Sequence, residues 1–222
     1  MKTQETSPFM ETRNKLVISS LVVASGNAGK LREFDRLLKP LGIQVRSQAE
    51  FHVEPADEPH ETFLENALAK ARHASARTGL PALADDSGIC VPSLGAAPGV
   101  RSARYAEPLA GTPQDELNNA KLIQALANET DRRAFYVAVL VLVMNAKDPL
   151  PLVAQGLWMG EVSAEARGSN GFGYDPHFFL PELNLTAAEL EPEHKNQISH
   201  RGMAMQSLIS QLTHRGLLEQ TV

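Results

Sequence analysis

The chain has 222 residues, 43% of them hydrophobic and 5% aromatic, with a formal net charge of −5. That length buries a real core within one domain, or one domain of two lobes, and leaves most of the packing to Val, Leu, Ile and Ala. An acidic surface repels a phosphate backbone, so no nucleic-acid partner is expected, although a small nucleotide in a local basic pocket is compatible with it.

The first fifteen residues, MKTQETSPFMETRNK, mix acids with bases and hold no apolar h-region. They read as a frayed extension (1–15) before one catalytic domain (16–222), not as a signal peptide. No apolar run reaches the roughly 18 residues of a membrane span. Leu16 to Ala24 is a short β-branched strand that runs into Ser25-Gly26-Asn27-Ala28-Gly29-Lys30. Leu31, Phe34, Leu37 and Leu38 then fall at helical spacing until Pro40 and Gly42 stop the helix. Ile43 to Ser47 predicts a second strand. After the acidic loop Glu50 to Glu61, Thr62 and Glu65 form a T-x-x-E helix start, and Gly79 marks the helix end.

Pro81 to Ala84 predicts a short buried strand that ends at Asp85-Asp86-Ser87-Gly88. The single cysteine, Cys90, is expected to be a buried structural thiol, and it fits a reducing, cytoplasmic compartment. Val91 to Gly111 reads as loop. Thr112 is expected to cap a helix with Pro113 at its first position and Leu122, Ile123 and Leu126 facing inward. Phe135 to Met144 and Leu150 to Trp158 predict a long antiparallel hairpin. A glycine-rich loop from Gly168 to Gly173, a strand at Phe178-Phe179-Leu180 and a helix from Ser199 to His214 complete the pattern. Strands that interleave with helices around one hairpin predict an α/β fold with a mixed, twisted sheet.

Four clusters carry chemistry. In Ser25 to Lys30 the glycines allow a backbone to approach an anion, the helix start aims N–H groups at it, and Lys30 adds a charge. The spacing is not that of a Walker A loop, and a tight turn with an exposed lysine is the alternative. Asp85-Asp86-Ser87 at a strand end suits a hard cation, or else an Asx-type turn. Glu58, in the acidic loop, is the candidate for a further carboxylate. Phe172 and Tyr174 stand between glycines, with faces suited to a purine ring and Asp175 placed to accept from its edge. A hydrophobic loop anchor is the other reading. Lys195, with His200 and Arg201 behind an N-cap at Ser199, puts cations where they oppose a helix dipole, which an anionic or carbonyl-rich ligand relieves.

Together SGNAGK, ETFLENALAKA, LADDSG, APGVRSARY, GFGYDP and ISHRG, in that order, resemble the inosine triphosphate pyrophosphatase family, the house-cleaning purine nucleotide pyrophosphatases. The resemblance runs from about Val17 to Leu212. It implies two lobes around a long mixed sheet with the site in the cleft between them, a homodimer and a need for Mg²⁺. It also implies hydrolysis of ITP, dITP and XTP to the monophosphate and pyrophosphate. By motif, Ser25, Gly26, Asn27, Ala28, Gly29 and Lys30 hold the triphosphate, and Lys30 is also catalytic. Asp86 binds metal and accepts the proton. Glu58, four residues before Thr62, is the second metal carboxylate. Ser87 touches substrate. Phe172, Gly173, Tyr174, Asp175, Lys195, His200 and Arg201 form the base pocket. The chain departs from the family at Ser25, often Thr, and at ADEPHE, usually a Glu-Glu-Thr-Gly pattern. The rival expectations are a Maf-like pyrophosphatase for modified pyrimidine nucleotides and a non-catalytic purine-nucleotide sensor.

Overall fold

The computed structural model describes residues 17–218. The expected extension over 1–15, and Leu16 at the head of the first predicted strand, lie outside that range. Seven strands of the described residues form one sheet in the order β2–β1–β3–β4–β5–β6–β7. β1 (Ser20–Val23) passes through the glycine turn into α1 (Ala28–Leu38), and β2 (Gln44–Ser47) returns parallel to β1. α2 (Phe63–Thr78) crosses to β3 (Ala82–Cys90), which lies parallel to β1 on its other side. After α3 (Gln114–Ala125), β4 (Arg133–Val143) and β5 (Leu152–Val162) form the antiparallel hairpin. β6 (Phe178–Leu180) and β7 (Leu185–Thr186) extend the sheet, and α4 (Pro192–Ile198) and α5 (His200–His214) close the chain. The sheet is mixed and flanked by helices, as the alternation of patterns predicted.

Several local expectations are corrected. The Asp85-Asp86-Ser87-Gly88 segment does not follow a strand but lies inside one. β3 continues to Cys90 because β4 pairs with it residue by residue, from Ala82 opposite Val143 to Cys90 opposite Phe135. Thr112 does not cap α3: Pro113 is the N-cap, without a side-chain bond, and the helix starts at Gln114. The last helix is preceded by an unforeseen one, α4. The two meet at Ser199, whose extended backbone breaks α4 and whose hydroxyl accepts from the Gly202 N–H at 3.2 Å to cap α5. α2 begins as expected, with the Thr62 hydroxyl accepting from the Glu65 N–H at 3.2 Å, and it ends at Gly79 in the left-handed region.

Side-chain alternation along the central strands sorts the core. On one face Leu83, Leu140 and Leu142 pack under Phe34 and Leu38 of α1 and Met205 and Leu208 of α5. Further along that face Ile89, Tyr136 and Trp158 pack against Phe178 and against Leu122 and Leu126 at the end of α3. The opposite face, Val137, Val139, Val141 and Val143, lies under Ala67, Ala71 and Ala74 of α2. The head of α5 is seated on the first face, with His200 stacked on Tyr136 and Trp158. Gly156 of β5 makes that seat possible, because a Cβ there would lie 2.0 Å from the His200 carbonyl oxygen.

Candidate active site

β1 pairs with β3 only through Val22 opposite Ala82 and Val23 opposite Leu83, and then diverges. From Asp85 to Ser87 β3 therefore has β4 on one side and no strand on the other, before Ile89 bonds Ser102 and Cys90 bridges to Pro98. Crevices of this kind, at the carboxyl ends of parallel strands, are where open α/β sheets bind ligands. A cavity of about 410 Å³ opens there, within the range of small-molecule sites. Ser25, Gly26, Asn27, Lys30, Glu58, Ser87, Phe172, Gly173, Tyr174, Asp175, Lys195, His200 and Arg201 all line it. Ala28, Gly29 and Asp86 are not on its wall.

The glycine turn is shaped from within. Asn27 caps α1, its side-chain oxygen accepting from the Gly29 and Lys30 N–H groups at 2.8 and 3.1 Å. The Ser25 hydroxyl accepts from the Asn27 N–H at 3.1 Å. Capping keeps the first turn of α1 regular and carries Lys30 over β3. Its ammonium meets Asp85 at 2.9 Å and the Ser87 hydroxyl at 3.1 Å. Strand alternation turns Asp85, not Asp86, toward α1 and α5. Burial draws the Lys30 pKa down, against the pull of Asp85. Asp85 is wholly buried, which by itself disfavours its charge, but Lys30 and Arg201 hold its carboxyl well below the usual carboxylate range.

Asp86 points to the other face, toward α2. There Lys70 donates to Asp86 Oδ1 at 2.8 Å, to Glu58 Oε1 at 2.9 Å and to the Asp85 carbonyl at 2.9 Å. Lys70 was missed from the sequence. Its signal was a lysine set among Ala67, Ala71 and Ala74 on the buried stripe of a helix, a place that demands a partner for the charge. Burial and the nearby Glu58 raise the Asp86 pKa despite Lys70. Burial acts the same way on Glu58, but Lys70 and Arg104 outweigh it and lower its pKa. Arg104 holds Glu58 from the solvent side, at 2.7 Å from Oε2.

Mg²⁺ is normally held by one or two carboxylates together with substrate phosphates and water. Among the described residues no three His, Cys, Asp or Glu side chains gather into a closed cage. Glu58 and Asp86 nevertheless converge on one ammonium, and Asp86 Oδ2 is buried without a hydrogen-bond partner. Two carboxylates with a free buried oxygen fit an open Mg²⁺ site.

At the far end His200 stacks on Tyr136, ring centres 4.6 Å apart and 9° from parallel. Burial and the adjacent Arg201 push the His200 pKa well below its ordinary value, so its imidazole is neutral at pH 7. Lys195 donates to Asp175 Oδ2 at 2.5 Å, and the Phe172 N–H donates to the same oxygen at 2.8 Å. Asp175 lines the cavity, but its carboxylate is not free: it is buried and already accepts from Lys195 and from the Phe172 N–H. Nor do Phe172 and Tyr174 form a pair. Tyr174 is buried, its hydroxyl donating to the Ser102 carbonyl at 2.7 Å, while Phe172 stays partly exposed over Lys195. Arg201 is more occupied than expected: Nε meets Asp85 at 2.9 Å, Nη1 meets Glu33 at 2.7 Å and Nη2 meets Ser87 at 3.2 Å. Glu33 and Tyr136 were also missed, because the elements that carry them come together only in the folded chain, and Asp85, read with Asp86 as suited to a cation, is instead paired with Lys30 and Arg201.

An open α/β sheet with an anion-binding turn, a carboxylate pair and an aromatic, basic pocket in one crevice defines a nucleotide-handling protein. The Ham1 family model matches residues 21–211, and the chain belongs to that family. It is 58% identical over 200 residues to the dITP/XTP pyrophosphatase of Bordetella pertussis, covering 90% of this chain and 94% of that protein. It is 59% identical over 197 residues to the protein of the same name from Nitrosomonas europaea, covering 88% and 95%. Among solved structures, a HAM1 protein from Coxiella burnetii superimposes with a TM-score of 0.82 at 47% identity, covering 89% of this chain and all of that one. The Ham1 protein of Staphylococcus aureus gives 0.77 at 38% identity, covering 88% and 98%.

Proposed function

We propose that this protein hydrolyses non-standard purine nucleoside triphosphates (ITP, dITP and XTP) to the monophosphate and pyrophosphate, with Mg²⁺. The observation that carries the reading is one cavity with a polyphosphate grip at one end and a base pocket at the other. The grip is Ser25, Gly26, Asn27 and Lys30 with Glu58 and Lys70, and Asp86 lies behind the wall on Lys70; the pocket is Phe172, Lys195, His200 and Arg201.

Water attacks the α-phosphorus, a new P–O bond forms, and the bond to the β-phosphate oxygen breaks to release pyrophosphate. Mg²⁺ held by Glu58 and Asp86 would offset charge on the phosphate oxygens. Lys30 and Lys70 place two ammonium groups on the cavity wall, where they orient the polyphosphate and stabilise the leaving group. We assign the proton of the attacking water to Asp86, whose carboxylate lies just behind the Lys70 ammonium of the wall and keeps one buried oxygen unpaired. The remaining N–H donors of Lys195 and Arg201 match a 6-oxo purine and leave the 6-amino group of adenine unpaired, a mismatch worth about 10⁴ in discrimination.

The cytoplasm, with its nucleotide pool, is the compartment we assign, and the unpaired buried Cys90 supports it. A homodimer is supported by exposed apolar side chains Val153, Leu157 and Met159 along one face of β5. No described helix is long and apolar enough to cross a membrane.

The test is pyrophosphate release from ITP, XTP, GTP, UTP and dTTP, with Mg²⁺ and with EDTA. Mg²⁺-dependent release from ITP and XTP is expected. Preference for UTP or dTTP would transfer the chain to the Maf-like reading, and tight ITP binding without product would make it a sensor.

A further inference from the structure

The loop Gly171 to Asp175 carries Phe172 over the cavity, and within its own sequence only Asp175 braces it. Gly171 and Gly173 both lie in the left-handed region, at φ +80 and +65, where glycine is free to go but equally free to leave. Its shape is imposed by neighbours. From within, Asp175 accepts from the Phe172 N–H at 2.8 Å. From outside, α3 grips a single residue by both its backbone groups: Asp115 Oδ2 accepts from the Gly173 N–H at 2.8 Å, and Asn119 Nδ2 donates to the Gly173 carbonyl at 2.9 Å. The two side chains stand four residues apart, on one face of the helix. α3 is in turn fixed by buried Leu122, and by Asn118, which accepts from the Ala106 N–H at 2.8 Å. The Phe172 ring is thereby held 5.4 Å from Lys195 Nζ and 5.8 Å from Arg201 Cζ.

We propose that Asp115 and Asn119 are positioning residues for the base end of the site, acting on the nucleobase through the Gly173 peptide and Phe172. The inference rests on the purine-nucleotide reading above. It separates the two ends of the substrate: the clamp governs the base and leaves the polyphosphate grip of Lys30 and Lys70 untouched.

The experiment uses the full chain. Asp115→Ala and Asn119→Asp each remove one of the two bonds. Each is expected to raise KM for ITP and Ki for IMP by about 5–30-fold, the scale of one lost hydrogen bond that leaves its partner unpaired. The value of kcat should stay within about twofold, and Ki for tripolyphosphate should not change. Asp115→Asn keeps an acceptor for the Gly173 N–H and should restore most of the affinity. Hydrogen exchange at the 171–175 amides judges the clamp without substrate and should quicken in the two disruptive variants. Unchanged exchange and unchanged KM overturn the proposal. So does a fall in kcat with tripolyphosphate affinity lost in proportion, which marks a general structural defect. Absence of ITP turnover in the unaltered protein counts against the functional reading alone, because the exchange rates still decide the clamp.

Discussion

Asp85 and Asp86 are adjacent in β3 and serve opposite faces of the sheet. Asp85 turns toward α1 and α5, where its Oδ2 lies 2.9 Å from both Lys30 and Arg201. Asp86 turns toward α2, where Lys70 meets it at 2.8 Å. One dipeptide therefore ties Lys30 of the glycine turn to Arg201 of α5, and separately holds Asp86 beside Glu58 on Lys70. The two acids differ in charge economy as well: Asp85 faces two cations and stays ionised, whereas Asp86 shares its one cation with Glu58.

Asp86→Asn should lower kcat by roughly 10²–10⁴, the scale of a lost acid–base group. The amide oxygen can still accept from Lys70, so the fold should be retained. Steady-state kinetics with ITP, alongside a thermal melt, checks this. Near-normal turnover would remove Asp86 from the chemistry.

Lys70→Met should leave Glu58 and Asp86 facing each other without their shared ammonium. The expected stability loss is up to about 3 kcal/mol, the low end for a broken buried pair because Glu58 is partly exposed. Mg²⁺ should raise the melting temperature of the variant more than that of the unaltered protein, since a ligand stabilises the state that binds it. Equal shifts in both would mean that the ion does not sit between those carboxylates.

Asp85→Asn should cost about 3–5 kcal/mol at pH 7, because Lys30 and Arg201 lose a buried counter-ion. The folded-state pKa of Asp85 is depressed, so its contribution is complete above the unfolded value of about 3.9. It fades as pH falls from there toward the folded value. Urea melts at pH 7 and pH 3 should show the gap between the two proteins narrowing. A gap of the same size at both would contradict the ion-pair account.

Gly156→Ala should damage a site that it does not touch through any side chain. The new Cβ would lie 2.0 Å from the His200 carbonyl and 2.8 Å from the Ala204 nitrogen, both backbone atoms that cannot rotate away. Lifting α5 off β5 should cost about 1–3 kcal/mol, as overpacking does. It should also raise KM for ITP, since His200 and Arg201 head that helix. An unchanged melting temperature would show that the helix yields without strain.

Local chemistry determined a good deal of this protein. Apolar runs at periods of two and near four located the hairpin and most helices, and Thr62, Gly79 and Ser199 marked their ends by capping rules that act within a few residues. The glycine turn, Lys195 and His200 stood out as candidates for the same reason, unusual residue types in short, punctuated segments, whereas the role of Glu58 came from the family resemblance; they line one cavity. Tertiary structure alone decided which charges meet. β4 extended β3 through the acidic pair, and strand alternation then sent Asp85 and Asp86 apart. Helix packing carried Lys70 to Glu58 and Asp86, and brought Arg201 into contact with Glu33, 168 residues away in sequence. Such pairings depend on distances between elements, which no local pattern encodes.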